Sequence, residues 1–250
     1  MNHQDSFRTF MIFELIEDTT KLAIIVAGLY FAFGVYVRRK QPAWSEPLEK
    51  RRLAILLVLV LAASAIKVSE DVLGGESGPI DVAILVFIRG HVPVTLTGFF
   101  EAITITGSFR VLFPLTAAST IALLSGRRRF EALLLSASVS IGATLVYVIK
   151  TAVGRARPAL WETEWYWGSS FPSGHTLVVA AFATAAVICV SRIWPAAREL
   201  GLSIAILWIV LLGFSRLVIG VHWPTDVLAA ACIGAFLPLA MSVVLEFVHA

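Results

Sequence analysis

The sequence predicts an all-α, polytopic membrane helical bundle, and three observations lead there. Apolar residues (AVILMFWYC) make up 58% of the 250 residues and charged residues only 15%, against roughly 25% charged in an average soluble domain. Mean hydropathy is +0.85. The apolar residues are gathered into seven stretches, each too long for a strand, and a bilayer core of about 30 Å takes about 20 helical residues to cross.

The same figures exclude other classes. Lys and Arg number 20 against 17 Asp and Glu, leaving a net charge of +3, which is no electrostatic footprint for nucleic acid. The two cysteines, Cys189 and Cys232, both sit in apolar runs. Neither a disulfide framework nor a Cys-rich zinc site is available.

In chain order, Met1–Asp18 carries Asp5, Glu14, Glu17 and Asp18 where a signal peptide would be basic. Phe7, Phe10, Met11, Phe13, Leu15 and Ile16 among them predict an amphipathic surface helix. Spans are predicted over Thr19–Val37, Leu53–Ser69, Ser108–Ser125, Ala132–Val148, Thr176–Ser191, Gly201–Ser215 and Val227–Leu245. Gly74–Gly107 is apolar but interrupted by Asp81, Arg89, His91, Pro93 and Glu101. It reads as interfacial or re-entrant helix, with a short eighth span near Ile80–Ile88 as the alternative. Residues 1–75 then hold the amphipathic segment and two spans, and residues 76–250 hold interfacial helices and five spans.

Basic residues in short loops set orientation. Arg38, Arg39, Lys40, Lys50, Arg51 and Arg52 fall in one loop, Arg127, Arg128 and Arg129 in a second, and Arg192 and Arg198 in a third. All three loops share one side, predicted as the cytoplasm, with the N-terminus out and the C-terminus in. Eleven basic residues then face five acidic ones inside, and nine face twelve outside. The pattern suits a bacterial inner membrane. Trp161, Trp165, Tyr166 and Trp167 share one outer loop, where amphipathic rings favour the headgroup region.

Some cations lie on the side that this rule disfavours. Lys150, Arg155, Arg157 and Arg216 follow spans four and six, beside His175, His222 and Asp226 at the starts of spans five and seven. One Lys or Arg at a helix end is ordinarily a snorkelling anchor. Cations, imidazoles and a carboxylate delivered to one face by separate loops instead suit a polyanion, and Arg is the preferred fork for phosphate oxygens. Ser173 stands in the N-cap position before Gly174 and His175, and a helix N-terminus favours an anion. His222 and Asp226 are four residues apart, with Pro224 near the first helical position. Asp226 either orients the imidazole or simply caps the helix.

The spacing carries a family resemblance. Lys150, six residues, Arg157-Pro158; then Pro172-Ser173-Gly174-His175; then Ser215-Arg216, five residues, His222, three residues, Asp226. This ordered triple resembles the motif of the type 2 phosphatidic acid phosphatase family, which includes the vanadium-dependent haloperoxidases. The resemblance implies a six-helix phosphatase core from about Ile80 to the C-terminus, plus an extra N-terminal span outside it. It implies catalysis by His222 as nucleophile, His175 as proton donor and then base, and Asp226 as orienting carboxylate. It implies phosphate binding by Lys150, Arg157, Ser173, Gly174 and Arg216, with no metal and no cofactor. Arg155 is the surplus cation, a candidate for headgroup contact or for meeting lipid phosphates.

A site at the outer surface beside an aromatic loop fits a substrate with a buried tail and an exposed phosphate. Phosphatidic acid, phosphatidylglycerophosphate, a polyprenyl diphosphate and a lipid A phosphate all qualify. Residues in Gly74–Gly107, in Ala159–Ser170 and between the span ends are expected to choose among them. A lipid phosphotransferase would use the same residues. An anion transporter would place them near the midplane, whereas these lie at span ends. Partners are therefore the lipid phosphate and membrane lipids; no pattern speaks to oligomeric state.

Overall fold

The computed structural model describes residues 3–163 and 167–248, with side chains from residue 16 onward except Glu246 and Val248. Among the described residues there is no strand. The helices are α1 (His3–Lys40), α2 (Ser45–Lys50), α3 (Arg52–Gly74), α4 (Gly78–His91), α5 (Thr97–Thr106), α6 (Phe109–Ser125), α7 (Arg129–Val153), α8 (Gly174–Ile193), α9 (Arg198–Val218) and α10 (Pro224–Val248). Six of them are long and apolar enough to cross a membrane. The predicted third span is α6, shorter at 17 residues, or about 25 Å at the α-helical rise.

The chain forms two compact units, Met1–Ser64 with Val243–Ala250, and Ala65–Ser242. In the first, Val37, Leu48, Ile55 and Phe247 form a small core, with Trp44 and Phe33 edge-on to Phe247. Helix α1 runs unbroken from His3 to Lys40, so the predicted surface segment and first span are one helix; the side chains of the predicted apolar face up to Leu15 lie outside the described residues.

The second unit is organised around α8. Leu177, Val179, Ala180, Ala181 and Ala185 of α8 are fully buried, and small side chains let neighbouring backbones approach. A Cβ on Gly234 of α10 would stand 2.3 Å from the Leu177 carbonyl oxygen, so only glycine fits at that crossing. One core joins Leu112 of α6, Leu135 of α7, Val179 and Phe182 of α8, and Leu212 of α9. A second joins Leu85 and Ile88 of α4, Phe100 of α5, and Leu217 and Val218 of α9. Leu133, Tyr147, Leu207, Val210 and Leu228 project outward, as lipid-facing side chains do in a membrane bundle.

Two expectations change in detail. The interrupted stretch Gly74–Gly107 becomes α4 and α5, bent by 96°, and the break falls at Pro93, which stands just outside both helices. A proline cannot continue a helix through its missing N–H. Asp81, Arg89, His91 and Glu101 lie within the two helices and interrupt neither. Helices α7 and α9 also run past their predicted ends, taking Lys150 and Arg216 into their last turns. Both side chains are buried, at 8% and 0% exposure. Their charges meet protein rather than lipid, so they do not terminate the span.

Candidate active site

The end of α9 sets up the segment that carries His222. Gly220 has φ +79. Its N–H donates to the Leu217 carbonyl (2.9 Å), and the Val221 N–H donates to the Arg216 carbonyl (3.2 Å). This paired closure is a Schellman motif with glycine in the left-handed position. A Cβ on Gly220 would lie 2.3 Å from Trp161 Nε1. The Trp161 indole therefore packs directly on the turn, and Arg89 stacks over the same ring at 5.3 Å. Two residues further on, the chain places His222 at 2% exposure and then begins α10.

Asp226 lies in the first turn of α10 and is fully buried. Its Oδ2 accepts the Trp223 N–H at 2.8 Å, the reach-back half of a capping box. The same oxygen is 3.5 Å from His222 Nδ1, long for a hydrogen bond. Capping and facing the imidazole are thus both done by one carboxylate. Ser170 Oγ also donates to Oδ2, and Arg155 Nη1 donates to Oδ1 at 2.6 Å.

The cations come from three directions. Lys150 Nζ donates to the Ser169 carbonyl. Arg157 is held by the carbonyls of Val221 (2.8 Å) and Trp167 (3.1 Å), with Nη1 3.4 Å from His222 Nε2. Arg216 is fully buried at the end of α9. His175, on the first turn of α8, lies within electrostatic reach of Arg216, His222, Lys150 and Arg157. Burial pushes the His222 imidazole down to about 3, with Arg216 and Arg157 adding to the shift and Asp226 opposing it. The imidazole is therefore neutral through the physiological range.

The remaining predicted positions fall at the start of α8. Ser173 is the N-cap residue, fully buried, but its side chain makes no capping bond. Its Oγ pairs with Thr176 Oγ1 at 3.0 Å instead. Gly174 opens the helix where a Cβ would meet Val146 Cγ1 at 3.1 Å and Lys150 Cε at 3.9 Å. Of the aromatic loop, Trp165 and Tyr166 lie outside the described residues; Trp167 is exposed and lies parallel to Tyr147, 6.1 Å between centroids.

Arg155 turns both of its terminal nitrogens into the protein. Its guanidinium donates to Asp226 Oδ1 and Thr225 Oγ1 (2.9 Å) through Nη1, and to Asp81 Oδ2 (2.6 Å) and Ser77 Oγ (3.1 Å) through Nη2. The side chain is 15% exposed. Sequence reasoning missed Asp81 and Ser170 altogether. Asp81 looked like an interruption in an apolar stretch, and Ser170 like an ordinary loop serine; nothing local marks either. Among the described residues no group of three or more His, Cys, Asp or Glu side chains is placed to hold a metal ion.

Fold and site together define a polytopic membrane protein with clustered cations and two histidines where the α7–α8 and α9–α10 connections meet. The chain belongs to the PAP2 superfamily, whose family model matches residues 131–248. It is 30% identical over 171 residues to a lipid A 1-phosphatase of Rhizobium johnstonii, covering 62% of this chain and 67% of that one. It is 38% identical over 73 residues to phosphatidylglycerophosphatase B of Escherichia coli. That match spans 29% of this chain and about a quarter (27%) of the relative's length. The fold resembles the crystal structure of the first transmembrane PAP2 type phosphatidylglycerolphosphate phosphatase from Bacillus subtilis. The TM-score is 0.66 at 24% identity, covering 78% of this chain and 96% of that one.

Proposed function

We propose that this chain is an integral membrane lipid phosphate phosphatase that hydrolyses a phosphomonoester or diphosphate of a membrane lipid through a phosphohistidine, without a metal. One observation carries the reading. Arg157 lies 3.4 Å from His222 Nε2 while Asp226 faces Nδ1. One imidazole nitrogen thus points into the cradle and the other toward a carboxylate. Relatives named for phosphatidylglycerophosphate and lipid A support the lipid phosphate class.

The chemistry divides among the residues as follows. Lys150, Arg157 and Arg216 hold the non-bridging phosphate oxygens, with Ser173 and the Gly174 N–H at the start of α8. His222 Nε2 attacks the terminal phosphorus in line with the leaving oxygen; the P–N bond forms as the P–O bond breaks, to the lipid alcohol in a monoester or to the lipid monophosphate in a diphosphate. His175 gives its proton to the departing oxygen. The positive charge left on His222 is stabilised by Asp226. A water then attacks phosphorus, His175 takes its proton, and the P–N bond breaks to release inorganic phosphate. Fixed cations aimed at the developing charge supply electrostatic stabilisation.

The site is proposed to face the exterior or periplasm of a bacterial inner membrane, as the basic loops on the other side favour. Substrate choice is tested by a panel of phosphatidic acid, phosphatidylglycerophosphate, lipid A and polyprenyl diphosphate assayed side by side in EDTA. The wild type is expected to release phosphate and to be inhibited by vanadate. His222→Ala loses at least about a thousand-fold in kcat and no longer takes up acid-labile label from a phosphate-labelled substrate. Full activity in His222→Ala, or a strict divalent-metal requirement, would overturn the mechanism; transfer of label to a second lipid would make it a phosphotransferase.

A further inference from the structure

The geometry points to Arg155 and Asp81 as positioning residues, a clamp through which α4 fixes the carboxylate that orients His222. Three elements distant in the chain meet here. Arg155 follows α7, Asp81 stands in the first turn of α4, and Asp226 in the first turn of α10. Each arm of the guanidinium takes one carboxylate at 2.6 Å. Both carboxylates are fully buried, where a lost charge partner is expensive.

Asp81 does a second task. Its Oδ1 accepts the Thr225 N–H at 3.0 Å and its Oδ2 accepts Thr225 Oγ1 at 2.7 Å. A carboxylate from α4 thereby satisfies an open N–H at the start of α10, one residue before Asp226. The backbone on which Asp226 stands is held by Asp81, and its side chain by Arg155. With Ser170 and Trp223 on Oδ2, the carboxylate has donors on both oxygens and cannot turn without breaking them.

Arg155 is therefore not a substrate contact. A planar fork is required, because an ammonium is a compact charge that cannot reach both carboxylates in the same geometry. Its effect on chemistry is transmitted through Asp226 to the imidazole, where small misplacements are costly.

This inference rests on the proposed phosphohistidine mechanism, and the test separates the two. Arg155→Lys and the near-isosteric Asp81→Asn are purified with the wild type, and kcat and KM are measured per folded enzyme on a short-chain lipid phosphate. Both variants lose about ten- to a hundred-fold in kcat, with KM within about threefold. In an Asp226→Asn background, Arg155→Lys adds little further loss, because the two act through one carboxylate. Full additivity, or a KM effect that follows the headgroup, overturns the clamp. Nitrogen NMR of labelled histidine supplies a readout that needs no turnover: the His222 resonances shift in both variants. Unshifted resonances overturn the clamp whatever the activity. A wild type that releases no phosphate while these resonances shift overturns the phosphatase reading and leaves the clamp standing.

Discussion

Asp226 Oδ2 caps the Trp223 N–H at 2.8 Å and stands 3.5 Å from His222 Nδ1. One oxygen starts a helix and faces the nucleophile of the proposed reaction, so helix geometry and imidazole orientation are set together.

Asp226→Asn keeps the shape but replaces the charge with an amide. The cap on Trp223 survives through the amide oxygen, while stabilisation of a positive imidazole is lost. A fall in kcat of about a hundred-fold or more is expected, with helicity by circular dichroism unchanged. Retained kcat would mean that Asp226 is a cap alone.

The buried His222 imidazole, lowered to about 3, gives a signed pH dependence. An unfolded histidine takes up its proton near 6.5, well before the folded one. Stability from this group is full above about pH 6.5 and is lost as pH falls toward 3. Thermal unfolding in detergent should show that decline, and His222→Gln should flatten it. An equal slope in both proteins would show that His222 is not the group responsible. Asp226, Arg216 and Arg157 are the charges acting on it.

Gly220→Ala tests the turn that leads into His222. The left-handed φ of +79 and the 2.3 Å approach to Trp161 both oppose a side chain. The substitution should cost more than about 1 kcal/mol of stability and quench or shift Trp161 emission in a background lacking the other tryptophans. An unchanged melting temperature would show that the turn tolerates a side chain.

Orientation has a direct check. A cysteine replacing the exposed Thr163 should react with an impermeant maleimide in intact cells. Labelling only after permeabilisation would invert the proposed topology.

The helical membrane class and the residues of the candidate site were readable because both are written locally. A span is a run of apolar residues, and the cradle's cations and imidazoles are unusual enough at span ends to be noticed one by one. The partner of Arg155 was not readable. Asp81 lies 74 positions away, in a stretch where a carboxylate looks like a break, and only tertiary packing makes it a burial partner. The ends of α7 and α9 were misplaced for a related reason: Lys150 and Arg216 read as water-seeking, whereas both are enclosed by protein. Pro93 was the exception among the interrupting residues, since its effect on a helix is covalent and needs no neighbour.

Cys189 and Cys232 are free thiols, both buried at 4% and 7% exposure, inside α8 and α10. Reagents that stay in water meet neither. The unmodified chain is accordingly its own silent background for site-by-site thiol mapping, and each engineered cysteine can be scored without first rebuilding the protein around two replacements.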